Sequence, residues 1–505
     1  MSSLPRRFRR NASSSWARIG TQGLITIVMT PVLVHGLGKT EYGIWALAFS
    51  LVLYLELFEF GLGTATVKYV AESEALGDRT RTRRTVATSF WTLAIPGLGA
   101  LALVAAIALF FPLVFDVPSE SERAAQLLML LVGLDLAVSI PGDTFGNTLV
   151  ALQRFDVVNA TLIAVLIAQA VSWAVILALG GGLVVLGLAT VALNLIGQLS
   201  RFLLVRRLVP GLSLSPRLVD RGQVRPLIGL SVWYGLAEAS TLAIARLDTI
   251  VVGIVVGVPE AAVYAVAQKA AFLVDQVIRP VLRMFFPHSS ELAARQDRPA
   301  LRSALVAGTR IATAVAGPLT LTLGLLAEPA LRAWVGPQFA EGAVVVVLLC
   351  AAAAISALTG TGFLMLQGAG FARWPGILST AQAVLNLGLG VVLGLQLGIK
   401  GVALAALIAA SVVQLGLVLP YVARSFGLAL ADLLWPVLRA HAPAAALAAG
   451  VGWLTLRAGV SGLLELTAAA LAIGSAYVAV LAVTGLLPEE RRTVLGLMRP
   501  KRSSV

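Results

Sequence analysis

Charged residues and cysteine are both scarce in this chain. Only 12% of its 505 residues are charged while 58% are hydrophobic, and the mean hydropathy is +0.91. Soluble globular domains carry about 25% charged residues, so this chain has too little polar surface for a soluble protein of its length. The single cysteine, Cys350, excludes a disulfide-stabilised scaffold. The composition therefore predicts an integral membrane protein.

Motifs for nucleotide and metal binding are also missing. There is no GxxxxGK[ST] phosphate-binding loop, which argues against ATP hydrolysis by this chain. The three histidines, His35, His288 and His441, lie far apart in the sequence, and there is no pair of cysteines to complete a metal site. We therefore expect no metal centre and no organic cofactor, with H⁺ or Na⁺ as the candidate driving ion.

Apolar segments are numerous, and they are separated by glycine, proline and charged clusters. A helix needs about 20 apolar residues to cross the hydrocarbon core of a bilayer. On that length the sequence predicts an all-α integral membrane protein with about fourteen transmembrane helices. The predicted spans cover residues 16–36, 42–64, 86–112, 125–150, 157–179, 183–205, 227–256, 262–284, 303–326, 342–366, 374–397, 400–423, 436–456 and 463–487.

The distribution of the 38 basic residues predicts the orientation. If the N-terminus is cytoplasmic, 29 of them fall in inner segments or within four residues of the inner end of a span, five in outer segments or at the outer end of a span, and four deeper within spans. Lys and Arg are enriched on the cytoplasmic side of membrane proteins, so we expect both termini in the cytoplasm. The net charge of +13 then reflects topology and attraction to anionic lipid, and not binding to nucleic acid. The apolar stretch after Arg10 has no small-residue cleavage site, so we expect it to be the first span and not a signal peptide.

A weak internal repeat relates the two halves of the chain. Because six spans separate the copies, both copies have the same orientation, which predicts two six-helix lobes around a central cavity, as in transporters with parallel repeats. The aligned pairs include Gly38 with Gly257, Asp78 with Asp297, Arg79 with Arg298 and, at a slightly shorter offset, Gln198 with Gln414. The predicted parts are a basic cytoplasmic tail (1–15), an N-lobe (16–212), a cytoplasmic linker (213–225), a C-lobe (226–424), two further helices (436–487) and a basic cytoplasmic C-terminal tail (488–505).

Eleven charged residues lie within predicted spans, five or more residues from either end. Each would cost about 2.5–3.5 kcal/mol if it faced lipid at the bilayer centre, so they must face a cavity, pair with one another or lie near an interface. Arg246 and Lys269 lie at similar depths on adjacent antiparallel spans and form a candidate anion-binding site, to which Arg18 and Arg310 are added as candidates. Pairing with acidic residues of the spans is the alternative for these cations. Arg18 opens the first span, which we expect to bend at Pro31, because proline in a transmembrane helix often marks a bend.

Acidic residues within the spans are candidates for binding a driving ion, because intramembrane carboxylates commonly carry H⁺ or Na⁺ in transporters. A structural ion pair is the alternative for each of them. Asp275, for example, precedes Arg279 by four residues, a spacing that permits an ion pair on one helix. The candidates for ion coupling are Glu56, Asp135, Glu238 and Asp275.

Residues 30–72 carry a recognisable pattern, TPVLVHGLGKTEYGIWALAFSLVLYLELFEFGLGTATVKYVAE. The pattern resembles the opening of the polysaccharide transporter family, the Wzx-type oligosaccharide and O-antigen flippases of the multidrug/oligosaccharidyl-lipid/polysaccharide exporter superfamily. The family's two six-helix lobes would cover residues 16–424. The features that carry the resemblance are Leu37-Gly38, Glu41-Tyr42-Gly43, the aromatic Trp45, and Gly61-Leu62-Gly63 ahead of a basic loop.

The resemblance implies a transporter of the bacterial inner membrane and not an enzyme. Its cargo would be a polyprenyl-diphosphate-linked oligosaccharide, moved to the outer leaflet by alternating access for O-antigen, capsule or exopolysaccharide synthesis. The implied partners are this lipid-linked substrate, membrane lipid, and the polymerase and glycosyltransferases of the same pathway. A diphosphate suits the cationic site, because charge-assisted hydrogen bonds from Arg to phosphate are strong.

The sequence leaves three alternatives to an oligosaccharide flippase. Multidrug exporters of the superfamily are coupled to cations and typically carry an acid in span one, which this chain lacks. Lipid II flippases typically cluster arginines across spans one, two and eight. This chain has only Arg18 at the start of span one, yet it shares their two additional C-terminal spans. A membrane glycan polymerase or ligase is a remote alternative, because such enzymes work in large outer loops and the outer loops predicted here are short.

Overall fold

A computed structural model shows an almost entirely helical protein. It describes residues 4–55, 62–220, 222, 247–371, 373–460 and 462–484, and no β-strand occurs in these ranges. The chain divides into two compact units, unit 1 from Met1 to Ala262 and unit 2 from Val263 to Val505. The all-α fold predicted from the apolar segments is therefore confirmed.

Unit 1 is built from long apolar helices joined by short turns. Between two of them the chain reverses at Gly180, where φ is 78°, a conformation that glycine adopts without steric cost. The helices are α1 (Leu4–Leu55), α2 (Leu62–Ala75), α3 (Arg79–Val114), α4 (Glu122–Ala151), α5 (Phe155–Ala178) and α6 (Leu183–Leu208).

Unit 2 has the same kind of construction and begins within helix α7 (Val258–Arg283). A π-helical segment, Ser411–Val418, lies between two of its α-helices. The further helices are α8 (Phe285–Ala294), α9 (Arg298–Leu325), α10 (Ala327–Val335), α11 (Ala343–Gly368), α12 (Arg373–Leu397), α13 (Ile399–Ala410), α14 (Leu419–Phe426), α15 (Leu430–Ala458) and α16 (Leu463–Thr484).

Eleven helices in the described ranges are long and apolar enough to cross a membrane. They account for twelve of the fourteen predicted spans, because the segment Ala17–Leu51 of α1 runs over the first span and much of the second. Predicted span 13 forms α15, which is 29 residues long but is made less apolar by Arg439, His441 and Arg457. Predicted span 7, residues 227–256, lies mostly outside the described residues.

Helix α1 contains a break at Gly38, which lies between the first two predicted spans, while the bend expected at Pro31 stays a prediction. The backbone remains helical through Pro31 and departs from helical geometry at Gly38, where φ is 75° and ψ is 174°. Around the proline, the Thr30 hydroxyl donates to the Thr26 carbonyl and the His35 ring donates to the Pro31 carbonyl, so local hydrogen bonds support the helix. The chain changes direction at Gly38 because a positive φ is open to glycine and costly for other residues.

The turns that lead into α3 and α9 have the same geometry. Asp78 and Asp297, which the internal repeat aligns, each accept a hydrogen bond from the backbone amide three residues later and so cap the helix that follows. The preceding residues, Gly77 and Gln296, both have positive φ, at 69° and 55°. The internal repeat is therefore present in the backbone conformation as well as in the sequence.

A second pair of equivalent contacts closes one end of each lobe. Arg83 and Arg302, which align in the same register of the repeat, lie against Gly211 and Gly427, whose φ values are 77° and 66°. The Arg302 Nε donates to the carbonyl of Phe426 at 2.8 Å. An arginine of the third span therefore lies against the loop after the last span in both lobes, and in unit 2 it also donates a hydrogen bond to that loop.

The two C-terminal helices, α15 and α16, pack on α9. Ala440, Ala444 and Ala448 of α15 are buried in this contact, and such small side chains let apolar helices approach closely. On its exposed side α15 carries Trp435 and Trp453, which are about 27 Å apart along the helix axis. Tryptophans near both ends of a helix are typical of the two membrane–water interfaces, so α15 has the features of a full span.

Candidate transport site

Unit 1 contains a hydrogen-bonded chain of three polar side chains from three helices. Gln169 of α5 donates through Nε2 to Asn194 Oδ1 of α6 at 2.8 Å. Asn194 Nδ2 in turn donates to Asp135 Oδ2 of α4 at 2.9 Å. Unpaired polar groups in the bilayer core cost several kcal/mol each, so these three side chains stabilise one another within apolar helices. We call them the Asp135 network.

A second network lies about 12 Å further along α4. Gln198 Nε2 of α6 donates to Asp143 Oδ1 at 3.2 Å and to the Ser139 carbonyl at 3.4 Å. Arg201, also on α6, donates through Nη1 to the same Asp143 oxygen at 3.4 Å and forms an ion pair with it. Ser139, Asp143, Gln198 and Arg201 are called the Asp143 network below.

Two glycines of α4 make room for the Asp143 network. A Cβ atom on Gly142 would lie 2.6 Å from the amide carbon of Gln198, and one on Gly146 would lie 3.2 Å from Arg201 Nη1. Small residues four positions apart allow transmembrane helices to approach closely. The polar contact between α4 and α6 therefore depends on the absence of side chains at these two positions.

Gly142→Ala is expected to destabilise the protein by about 1–3 kcal/mol, because the added methyl group must displace the buried Gln198 amide. Thermal unfolding of the purified protein in lipid nanodiscs measures this effect. Gly99→Ala on α3 is the matched control, since no atom lies within 4 Å of its Cβ position. Equal melting temperatures for the two variants would contradict the prediction.

Unit 2 contains an uncharged network of the same kind. The Thr359 hydroxyl of α11 donates to Gln414 Oε1 at 2.8 Å. Gln414 Nε2 donates to Ser356 Oγ at 3.3 Å and to Gln382 Oε1 of α12 at 3.1 Å. Gln414 lies in the π-helical segment that follows α13. These four side chains are called the Gln414 network.

The Asp143 and Gln414 networks occupy equivalent positions in the internal repeat. The register that aligns Gln198 with Gln414 also places Asp143 on Thr359 and Arg201 on Leu417. A glutamine therefore makes the contact between the fourth and the sixth membrane span of each lobe, which are α4 and α6 in unit 1 and α11 and the segment around Gln414 in unit 2. Only the copy in unit 1 adds a carboxylate and a guanidinium to this contact.

A third polar cluster joins the C-terminal helices to α9. The His441 ring of α15 lies between Thr313 of α9 and Tyr477 of α16, with an Nε2–Oγ1 distance of 3.1 Å and an Nδ1–Oη distance of 2.8 Å. Gly317, one turn after Thr313, leaves space for the Tyr477 hydroxyl. Arg310, one turn before Thr313, acts electrostatically on the His441 ring. This cluster, called the His441 joint, connects the two added helices to the helix that carries a candidate substrate-binding cation.

His441→Phe is expected to cost about 1–3 kcal/mol of stability, because it leaves the buried Tyr477 hydroxyl without its partner. Tyr477→Phe should cost no more than His441→Phe, which also removes the contact with Thr313. The double variant should cost little more than His441→Phe alone, since both single variants remove the hydrogen bond between the two side chains. Melting temperatures of the three variants in nanodiscs test this. Strictly additive losses would show that the two side chains act independently.

The cations predicted from the sequence fall into two groups. Arg246 lies outside the described residues, as do the acids Glu56 and Glu238. The three other cations are half-buried, with Arg18 on α1 in unit 1, and Lys269 on α7 and Arg310 on α9 in unit 2.

The two candidate acids in the described part of the chain differ in their partners. Asp275 accepts hydrogen bonds from Arg279 Nε at 3.1 Å and Nη2 at 2.9 Å, so the ion pair that the i,i+4 spacing permits is formed. Asp135 instead accepts from the neutral amide of Asn194. Across the described ranges, no three His, Cys, Asp or Glu side chains come together in a way that could hold a metal ion.

Comparison with known proteins establishes the family. Residues 32–344, more than half of the chain, match the family described as polysaccharide biosynthesis protein. The chain belongs to the polysaccharide biosynthesis protein family. The succinoglycan biosynthesis transport protein ExoT of Rhizobium meliloti (strain 1021) is 26% identical to this family member over 364 residues, which are 70% of this chain and 67% of ExoT. The uncharacterized membrane protein EpsK of Bacillus subtilis (strain 168) is 19% identical over 405 residues, or 80% of each chain.

Solved structures show that this family member has the fold of the superfamily's two-lobe membrane transporters. The lipid II flippase MurJ, in an inward closed conformation, superposes with a TM-score of 0.70 over 97% of this chain and 99% of MurJ, at 14% identity. An inward-facing multidrug resistance MATE family transporter of the MOP superfamily superposes with a TM-score of 0.68 over 80% of this chain and 94% of its own, at 16% identity. The predicted fold class, the all-helical two-lobe fold of these membrane transporters, is therefore confirmed.

The sequence interpretation missed the amide residues that hold this family member's intramembrane carboxylates. Gln169 and Asn194 were available as polar residues inside long apolar runs. Gln198 appeared only as a match in the internal repeat. The spacing of the histidines argues only against a metal site at His441. The position of His441 in an apolar span was the available signal for its buried hydrogen bond with Tyr477.

Proposed function

We propose that this protein is a flippase that moves polyprenyl-diphosphate-linked oligosaccharides across the bacterial inner membrane by alternating access. The observation that carries the proposal is the match of residues 32–344 to the polysaccharide biosynthesis protein family. The name of ExoT, a succinoglycan biosynthesis transport protein, supports a cargo used to build a cell-surface polysaccharide. The fold shared with the lipid II flippase MurJ supports a lipid-linked form of that cargo.

The candidate cations suit the charge of such a substrate. A diphosphate is an anion, and hydrogen bonds to it from Lys and Arg are charge-assisted and therefore strong. The lipid tail can stay in the bilayer while the diphosphate and the glycan cross through the protein. The residues proposed to contact the diphosphate or the glycan are Arg18, Arg246, Lys269 and Arg310.

Transport against a gradient needs a driving ion, and we propose H⁺ or Na⁺. Among the candidate acids, Asp135 is supported by its geometry, because its carboxylate sits among apolar helices and accepts from the Asn194 amide, with no guanidinium bonded to it within the described part of the chain. Asp275 is already bound to Arg279 and is a weaker candidate. Glu56 and Glu238 remain candidates from the sequence.

The proposed orientation places both termini in the cytoplasm. Its support is the concentration of Lys and Arg in the segments that would then face inward, as expected for a protein of the inner membrane. The polymerase and glycosyltransferases of the same pathway are the proposed protein partners.

The test of the proposed function is a deletion strain analysed for lipid-linked glycans by mass spectrometry, with surface polysaccharide measured in parallel. Accumulation of a polyprenyl-diphosphate oligosaccharide together with loss of surface polymer, both reversed by complementation, is the expected result. Normal glycans and normal polymer, in a genome without a second flippase of this family, would overturn the proposal and favour a cation-coupled multidrug exporter.

Lys269→Ala is expected to reduce export by roughly ten- to a hundredfold, because a charge-assisted hydrogen bond is worth about 1.5–3 kcal/mol. Complementation of the deletion strain measures the effect, normalised to the amount of protein in the membrane. Lys400→Ala is the control, since Lys400 lies at the start of α13 and outside the proposed site. Normal export by the Lys269 variant would remove this residue from the mechanism.

A lipid II flippase is the second candidate function. The observation in its favour is that MurJ matches 97% of this chain, a coverage that includes the two C-terminal helices. Growth of a strain depleted of its own lipid II flippase, rescued by this protein, would support that function. Failure of the rescue combined with glycan accumulation in the deletion strain would support the oligosaccharide flippase.

A further inference from the structure

Gln198 in unit 1 has a side-chain oxygen without a hydrogen-bond donor. The residue is 6% exposed, and its Oε1 has no partner among the residues that the structure describes. Its Nε2, in contrast, has two acceptors. A buried acceptor left without a donor costs about 1–3 kcal/mol, so the Asp143 network has a place for one more proton donor.

The equivalent oxygen in unit 2 does have a donor. The Thr359 hydroxyl donates to Gln414 Oε1 at 2.8 Å. Thr359 stands where unit 1 has Asp143. An ionised carboxylate cannot donate a hydrogen bond, whereas a protonated carboxyl group can. A proton on Asp143 would therefore give unit 1 the hydroxyl donor that unit 2 already has.

We propose that Asp143 is a proton-binding site that alternates between an ion pair with Arg201 and a protonated form that donates a hydrogen bond to Gln198. In the second form the carboxylate gains a proton from water, and the Gln198 amide turns its Oε1 toward the new hydroxyl and gives up its hydrogen bond to the Ser139 carbonyl. Arg201 loses its partner oxygen. Arg201 remains a cation in both forms. Release of the proton to water restores the ion pair.

The exposure of the two charged side chains fits this exchange. The Asp143 side chain is 43% exposed, whereas that of Arg201 is 13% exposed. The carboxylate is therefore the more accessible of the two groups, while the guanidinium lies beside Gly146.

Charged groups on the helices packed against α4 define the electrostatic setting of the site. Arg201 on α6 contacts the carboxylate directly, and Asp135 interacts with it from further along α4. Glu72 of α2 is paired with Arg81 of α3. Other charged residues on the packed helices near this end of the lobe include Arg18 on α1, Lys68 and Glu74 on α2, Arg79, Arg83 and Arg84 on α3, Asp156 on α5, and Arg206 and Arg207 on α6.

The role of the Asp143 proton site in transport rests on the proposed ion-coupled function. The binding of a proton at Asp143 does not depend on that function. Asp135 and Asp143 lie on one helix about 12 Å apart, with Asp143 nearer the end of the lobe at which α6 carries Arg206 and Arg207. In the proposed orientation this end faces the cytoplasm. A proton that enters through the Asp135 network would leave through Asp143, where the Arg201 cation replaces it.

Infrared difference spectroscopy of the full-length protein in lipid nanodiscs tests the site directly. Acidification of the wild type should produce the C=O stretch of a protonated carboxyl group, and Asp143→Asn should lose one component of that band. In Arg201→Leu the component should appear at a higher pH, because the cation that stabilises the carboxylate is absent. Thr359→Val, at the equivalent position of unit 2, should retain the wild-type spectrum. A spectrum of Asp143→Asn identical to that of the wild type would overturn the proposal.

The double substitution D143T/R201L tests the role of the site in transport. It gives unit 1 the residues that unit 2 already carries, so we expect a wild-type melting temperature together with loss of the pH dependence of glycan export. An unchanged pH profile would overturn the role in coupling. If the wild type moves no glycan but shows the Asp143 band, the proposed function fails and the proton site stands. If it moves glycan but lacks the band, the proton site fails and the flippase stands.

Discussion

Asp135→Asn should lower glycan export about tenfold or more while leaving the protein folded, as expected for an intramembrane acid that carries a driving ion. The amide has nearly the same size as the carboxyl group and can still accept the hydrogen bond from Asn194 Nδ2. It cannot take up a proton and cannot neutralise Na⁺. The expected loss is therefore functional and not structural.

The experiment compares surface polysaccharide, lipid-linked intermediates and membrane protein level in the complemented deletion strain. Gln169→Leu is the matched control, because it breaks the same network at its other end and keeps the carboxylate. This control should lose stability by about 1–3 kcal/mol but retain export per folded molecule. Wild-type export by Asp135→Asn would exclude Asp135 as the coupling residue.

Gly401→Ala should give a larger loss of folded protein than the glycine substitutions at positions 99, 142 and 388. Gly401 lies near the start of α13, and a Cβ atom there would overlap the backbone carbonyl of Leu393 on α12. Overpacking costs about 1–3 kcal/mol and occasionally more, and a helix backbone cannot move aside as a flexible side chain can. We therefore expect α12 and α13 to separate, with a cost at or above the upper end of this range.

The yield of monodisperse protein and its melting temperature measure the effect of Gly401→Ala. Gly388→Ala is the control on the neighbouring helix α12, since its Cβ position has no atom within 4 Å. The control should fold as well as the wild type. A Gly401 variant that matches the control in yield and melting temperature would show that α12 and α13 can adjust to a larger residue.

The internal repeat gives the two lobes the same contacts with different chemistry. Gln198 and Gln414 both reach from the last helix of a lobe to its fourth helix, yet they meet Asp143 in one lobe and Thr359 in the other. The unit 1 contact therefore depends on a charge, and the unit 2 contact does not. The proton site proposed at Asp143 therefore has no carboxylate at the equivalent position of unit 2.

The helices themselves are largely predictable from the sequence. The predicted span 374–397 becomes α12 (Arg373–Leu397), and 463–487 becomes α16 (Leu463–Thr484). Such agreement follows because the length of an apolar run and its flanking glycines, prolines and charges are local properties. The Asp275–Arg279 ion pair was predictable for the same reason, since four residues along one helix always bring two side chains to the same face.

Contacts between helices were not predictable in this way. Asp135 and Asn194 are 59 residues apart, and their hydrogen bond depends on how α4 and α6 are rotated and shifted against each other. The same holds for His441 with Thr313, at a separation of 128 residues. Composition and spacing specify which residues must find a polar partner within the membrane. The identity of that partner depends on helix packing, because the close approach that glycines such as Gly142 allow selects which side chains meet.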